Sequence, residues 1–222
     1  MSEDDSASVA GAGAGVATSA AVPANPPGSE AADVTVPPID PARRRRAYRE
    51  IRLWGDPALR ATALRVTEFG PAIEAEVAHQ AQVLFDAPGA GLAAPQIGRL
   101  HRIVVYRLAE DGPEPAFRTL VNPEIVDASS ERELFEEGCL SMPDLFAEVE
   151  RAAAVTVRAR DPLGAPLEIQ AEGRHASLLQ HEIDHLDGIL IPDRLARPAR
   201  RRFMAGLRAS APGWAALGLG SQ

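Results

Sequence analysis

The chain has 222 residues, a single cysteine and a formal net charge of −8. One cysteine excludes a disulfide framework and fits a reducing compartment, and no apolar run approaches the length of a membrane span. All 23 basic residues are arginine, which rules out Schiff-base catalysis and a P-loop lysine.

Residues 1–42 are rich in Ala, Gly, Ser and Pro and contain no aromatic residue. Such a segment cannot bury enough surface to offset its ordering entropy, so it is expected to be disordered. It lacks the basic start and apolar run of a signal peptide. Glu3, Asp4, Asp5, Glu30, Asp33 and Asp40 lie in it, with no Arg before Arg43, which does not suit a transit peptide. These acids carry most of the net charge, so the remainder is close to neutral and is not an acidic binding surface. One compact domain is expected over residues 43–210, followed by a C-terminal tail at 211–222. The run Arg43–Arg46 reads as a solvated linker rather than a nucleic-acid contact.

Residues 51–66 read as an extended lead-in broken at Asp56-Pro57. Pro71–Asp86 carries Ile73, Val77, Leu84 and Phe85 near helical spacing, with Pro71 suited to a first turn. This predicts an N-terminal amphipathic helix, with His79 a polar residue rather than a ligand. Gly89–Gly98 reads as a Gly/Ala connector whose glycines allow close approach to a ligand. His101–Leu108 and Phe117–Asp127 are strand-like. Asn122-Pro123 interrupts the second, which predicts an edge or a bend. Arg132–Phe135 suggests a short strand leading into a turn that holds Cys139. Ala154–Arg160 alternates strictly, and Leu167–Ala171 pairs back on it through the turn at Asp161–Gly164.

The next stretch carries the chemistry. Leu178, Ile183 and Leu186 give an apolar stripe, and Gly188 sits where a helix would end, so one mostly buried helix is predicted over Glu172–Asp187. His181 and His185, four apart, then aim two imidazoles at one point, with Glu182 beside the first. Two His ligands and a Glu suit metal-assisted hydrolysis. A catalytic ion usually takes three protein ligands. Position 191 is Ile191 and no Glu follows Glu182, so neither common downstream ligand is present. The remaining soft ligand is Cys139. After Pro192 a last helix carries Arg200, Arg201, Arg202 and Arg208. The order helix, strands, helix predicts an α+β fold, with mostly antiparallel sheets packed around the HExxH helix and a C-terminal helix behind.

GAGLAAPQIG (Gly89–Gly98), EGCLS (Glu137–Ser141) and QHEIDHLDG (Gln180–Gly188) resemble, in order, the three signature motifs of peptide deformylase. The resemblance covers roughly Tyr48–Arg208. It implies an enzyme that removes the N-formyl group from the initiator methionine of nascent chains in the bacterial cytoplasm, releasing formate. It implies one divalent ion on Cys139, His181 and His185, with Fe²⁺ the usual native metal and Zn²⁺, Ni²⁺ or Co²⁺ accepted. Glu182 then handles the proton of the attacking water. The Gln96 side chain and Leu140 backbone N–H face the formyl oxygen, and Gly91 offers backbone hydrogen bonds to the peptide. The C-terminal Arg-rich helix can contact the ribosome in this family. Two features depart from the pattern. Phe146 stands where deformylases often have Arg, and Arg174, His175 and Ser177 occupy the stretch of the HExxH helix whose largely apolar residues line the methionine pocket in the family. A zinc peptidase using the same His181, Glu182 and His185 is the alternative.

Overall fold

The computed structural model describes residues 40–108 and 117–214. Residues 1–39, where disorder is expected, and 215–222 lie outside the described residues.

The first helix, α1 (Pro41–Glu50), contains the arginine run expected to be a linker. Asp40 caps it by accepting from the Ala42 N–H at 3.0 Å, and Pro41 fills the first turn, where a missing N–H costs nothing. Ala47 and Tyr48 are buried. Arg43 pairs with Asp86 at 2.6 Å and lies 4.9 Å from the Phe85 ring centroid. The docked helix therefore begins ahead of the expected boundary at residue 43. Phe85 and Asp86 belong to α2 (Pro71–Asp86), which spans the predicted residues but is the second helix rather than the first.

Gly89–Gly98 is more than a connector. It forms strand β1 (Gly91–Ala93) and a 3₁₀ turn (Ala94–Ile97), with residues 91–97 all buried. β1 pairs antiparallel with β2 (Ile103–Tyr106), Gly91 opposite Tyr106. β2 pairs with β3 (Arg118–Ala128). The register of β3 shifts between Val121 and Glu124, where Asn122 takes a φ of 54°. Asn122 offsets the break by donating to the Val66 carbonyl and accepting from the Val66 N–H, both at 2.8 Å. β3 has neighbours on both sides, so Asn122-Pro123 marks a bend in an interior strand, not an edge.

A separate two-stranded sheet follows: β4 (Arg132–Cys139) and β5 (Met142–Ala152). β4 is twice the expected length, and β5 takes up residues that had no predicted element. The hairpin β6 (Ala154–Arg160) and β7 (Pro166–Glu172) then completes a five-stranded antiparallel sheet in the order β1-β2-β3-β6-β7.

Helix α3 (Gly173–Leu186) buries Ala176, Leu179, Ile183 and Leu186 against Val104, Leu120, Val155 and Val157 of that sheet. Two further helices close the chain, α4 (Ile191–Arg194) and α5 (Arg197–Trp214). α5 runs past residue 210, the expected end of the domain, because Trp214 is buried in a core with Phe203, Leu207 and Tyr48. The fold is thus α+β, with antiparallel sheets and a C-terminal helix. Among the described residues no helix is long and apolar enough to cross a membrane.

Gly188 fixes how α3 ends. Its φ is +72°, and a Cβ there would lie 2.6 Å from the Arg60 carbonyl oxygen. Gly173, at the other end, has φ +55° with open space around it. Both substitutions to Ala carry the left-handed penalty of about 1–2 kcal/mol. Only Gly188→Ala must also displace a backbone. Urea unfolding is expected to show Gly188→Ala as the more destabilising of the two; equal losses would remove the Arg60 contact from the account.

Candidate active site

Cys139 ends β4, and His181 and His185 lie one turn apart on α3. The Cys139 sulfur and a nitrogen from each imidazole all lie within 4.8 Å of one another, a group that could hold a metal ion. Sγ is 3.3 Å from His185 Nε2. The two rings meet edge to face, 4.9 Å between centroids.

One buried carboxylate aims this group. Glu137 Oε2 accepts from His181 Nδ1 at 2.9 Å, which leaves Nε2 of that ring for the sulfur side. Glu137 also accepts from Arg151 Nε at 2.8 Å, from Arg151 Nη2 at 3.0 Å and from Ser177 Oγ at 2.9 Å. Arg151 Nη1 reaches on to Asp184 at 2.6 Å, and Arg194 holds the outer side of Asp184. Glu137, Arg151 and Asp184 are all buried. Burial pushes the Glu137 carboxyl up, but the hydrogen bonds from His181 and Arg151 outweigh it and hold the pKa at about 2. For His181, burial acts downward and its bonds to Cys139 and Glu137 prevail, raising the pKa. Burial holds His185 neutral.

Glu182 is buried, and its Oε2 has no hydrogen-bond partner. Gly91 lies against this carboxylate so closely that a Cβ at position 91 would run into it. Burial lifts the Glu182 pKa to about 7. Gln96 is pinned by its own oxygen, which accepts from the Ala93 N–H at 2.7 Å. Its Nε2 then lies 3.3 Å from Ser141 Oγ and 3.5 Å from Cys139 Sγ. The lead-in segment holds both loops from behind: the Arg52 N–H donates to the Gln96 carbonyl at 2.7 Å, and the Trp54 N–H to the Ser141 carbonyl at 2.9 Å. Leu140 is buried beside Cys139, its side chain against Gly89. The fold therefore brings Gly91, Gln96, Cys139, Leu140, His181, Glu182 and His185 into one neighbourhood. His79 stays outside it, exposed and paired with Glu50 at 2.7 Å.

Sequence reasoning missed Glu137, Ser141, Arg151 and Asp184 as parts of the site. Glu137 and Arg151 are single buried charged positions on β4 and β5, and Asp184 is one of several buried polar residues on α3. Ser141 lies in the turn between the two strands. A charge pattern reads such charged residues as solvent-facing.

A sulfur and two imidazoles beside a buried, unpaired carboxylate make the kind of site expected of a hydrolase. The polypeptide deformylase family model matches residues 48–201. A peptide deformylase of Thermotoga neapolitana is 42% identical over 154 residues, covering 69% of this chain and 90% of that one. One of Natranaerobius thermophilus is 45% identical over 148 residues, covering 67% and 92%. The crystal structure of a peptide deformylase from Legionella pneumophila superposes with a TM-score of 0.69 at 39% identity, covering 75% of this chain and 97% of that one. The chain belongs to the peptide deformylase family.

Arg151→Met is expected to cost about 3–5 kcal/mol in urea unfolding at neutral pH, because it strands buried carboxylates without their cation. Glu137 titrates below its ordinary value of 4.5, so its share of stability is present above that pH and fades as pH falls toward about 2. The gap between wild type and variant should narrow over the same window. A gap that is small at neutral pH, or constant on acidification, would contradict the ion-pair account.

Proposed function

We propose that this chain hydrolyses the formyl amide of N-formylmethionyl nascent peptides, releasing formate, in a bacterial cytoplasm. The observation that carries the reading is Glu182: a buried carboxyl with an unpaired oxygen, set against Gly91 and next to a Cys139/His181/His185 donor set.

The donor set suits a divalent ion. It offers one soft sulfur and two imidazoles, the three protein ligands that a catalytic ion would take. Fe²⁺ is the proposed native metal, with Zn²⁺, Ni²⁺ or Co²⁺ able to replace it. Such an ion supplies Lewis acidity and brings the pKa of a water toward ~7. The protein's own groups do the rest. Burial keeps His185 in the neutral form that ligation needs. Glu182, with its pKa near neutrality, takes the proton of the attacking water and returns it to the leaving amine. The Gln96 Nε2 and the Leu140 backbone N–H stabilise the developing oxyanion, and the held geometry of Gln96 avoids reorganisation during the reaction. The Gly91 backbone positions the peptide, and its lack of a side chain leaves Glu182 in place.

The exposed residues Arg197, Arg200, Arg201 and Arg208 line one hollow on α5 with Met204. We assign this face to the ribosome, whose phosphates suit guanidinium forks. A general HExxH peptidase has no observation in its favour.

Purified, metal-loaded protein is expected to release formate from formyl-Met peptides and to leave acetyl-Met peptides intact. Glu182→Gln should retain the ion and lose about 10²–10⁴-fold in kcat. Cleavage of internal peptide bonds, or a fully metallated Gln variant with more than about a tenth of wild-type kcat, far short of that loss, would sink the proposal.

A further inference from the structure

The arginine run of α1 sits on a docked helix. Asp40 caps the helix, the Arg43–Asp86 pair ties it to α2, and Ala47 and Tyr48 enter the core. Arg44 lies 5.6 Å from the Tyr48 ring centroid, and Glu50 is taken up by His79 at 2.7 Å. Arg45, Arg46 and Arg49 are left exposed, with no side-chain hydrogen bond or ion pair among the described residues. At 3.6 residues per turn they fall within about 100° of one another, on the face opposite Ala47 and Tyr48.

This face is unfavourable for the protein alone. Arg45 and Arg49 are like charges four apart, which repel. Arg43–Arg46 crowd the positive end of the helix dipole, and the first turn holds no acidic residue. A bound polyanion relieves both. Tyr48, the one aromatic residue of α1, is buried. The face therefore lacks the large apolar residues that insert into a bilayer and the aromatic platform that stacks a base. Phosphates remain, which guanidinium forks bind by paired hydrogen bonds.

We infer that Arg45, Arg46 and Arg49 form a docking surface for the phosphate backbone of duplex RNA. It is a second basic surface, made by residues other than those of the α5 hollow. Arg43–Arg46 lie ahead of residues 48–201, the part that matches the family. The surface does not depend on the reaction catalysed. The choice of RNA over DNA rests on the deformylase reading, because a nascent chain is met beside ribosomal RNA. Contacts to phosphates carry no sequence information and weaken steeply with salt.

The test titrates the full chain into a fluorescently labelled RNA duplex and follows anisotropy from about 50 to 200 mM salt. The wild type is expected to bind, with affinity falling as salt rises. The triple variant Arg45→Gln, Arg46→Gln, Arg49→Gln should lose about tenfold or more at the low end, and the slope of log affinity against log salt should shrink by about 3, roughly one per phosphate contact. Gln is a good helix former, so circular dichroism and urea unfolding should match the wild type. A control triple, Arg65→Gln, Arg132→Gln, Arg158→Gln, removes the same charge from exposed arginines that pair with glutamates and should change affinity less than about twofold. No binding by the wild type, an unchanged slope in the α1 variant, an equal loss in the control, or tighter binding to a DNA duplex of the same sequence or to anionic vesicles overturns the inference. Formate release from formyl-Met peptides should be equal in the wild type and the α1 variant. A wild type that binds RNA through α1 but releases no formate would overturn the deformylase reading and leave the α1 surface standing.

Discussion

The Glu137–Arg151–Asp184 bridge joins the two-stranded sheet to α3 through buried ion pairs. Glu137 and Arg151 lie on the two-stranded sheet, and Asp184 lies on α3. Charges this deeply buried are costly unless fully paired. Here every one is paired: the Glu137 carboxylate alone accepts four hydrogen bonds, including one from His181. Together with the two hydrogen bonds between the Gln180 amide and the Ala152 backbone, the bridge holds the sheet against the helix. Cys139 ends the same strand that carries Glu137, so the position of the sulfur relative to the two imidazoles follows from it. Packing of α3 on the five-stranded sheet sets the helix, and the ion pairs set what faces it.

The neighbouring carboxylates show how environment separates roles. Glu137 and Glu182 are both buried, yet one is held at about 2 and the other rises to about 7. Glu137 sits among donors and stays charged, which suits a group that orients a ring. Glu182 has burial without a compensating donor on Oε2, which suits a group that exchanges a proton near neutral pH. Gly91 keeps that space open, since any side chain there would occupy it.

Regular patterns made much of this legible in the sequence. α2, β6 and α3 have periodic apolar positions, and Pro71 and Gly188 mark ends by simple stereochemistry. β5 was hidden. Its residues do alternate from Leu145 to Arg151, but the pattern is inverted at two points: Phe146 faces solvent, and Arg151 faces inward. Only the Glu137 and Asp184 partners, distant in sequence, make a buried Arg151 tenable. α1 was hidden in a similar way, because four arginines mask two buried residues, although Asp40-Pro41 is a readable helix start. The seven candidate site residues could be named from motifs. How Glu137, Ser141 and Ser177 hold them could not, because those contacts are set by strand register and loop closure rather than by local sequence.

The proposed function requires one ion shared by Cys139, His181 and His185. X-ray absorption at the metal edge of the iron- or zinc-loaded protein tests it most directly. The account predicts one sulfur at about 2.3 Å and two imidazole nitrogens at about 2.0–2.1 Å in the zinc form. A first shell of nitrogen and oxygen only, with no sulfur, would contradict it.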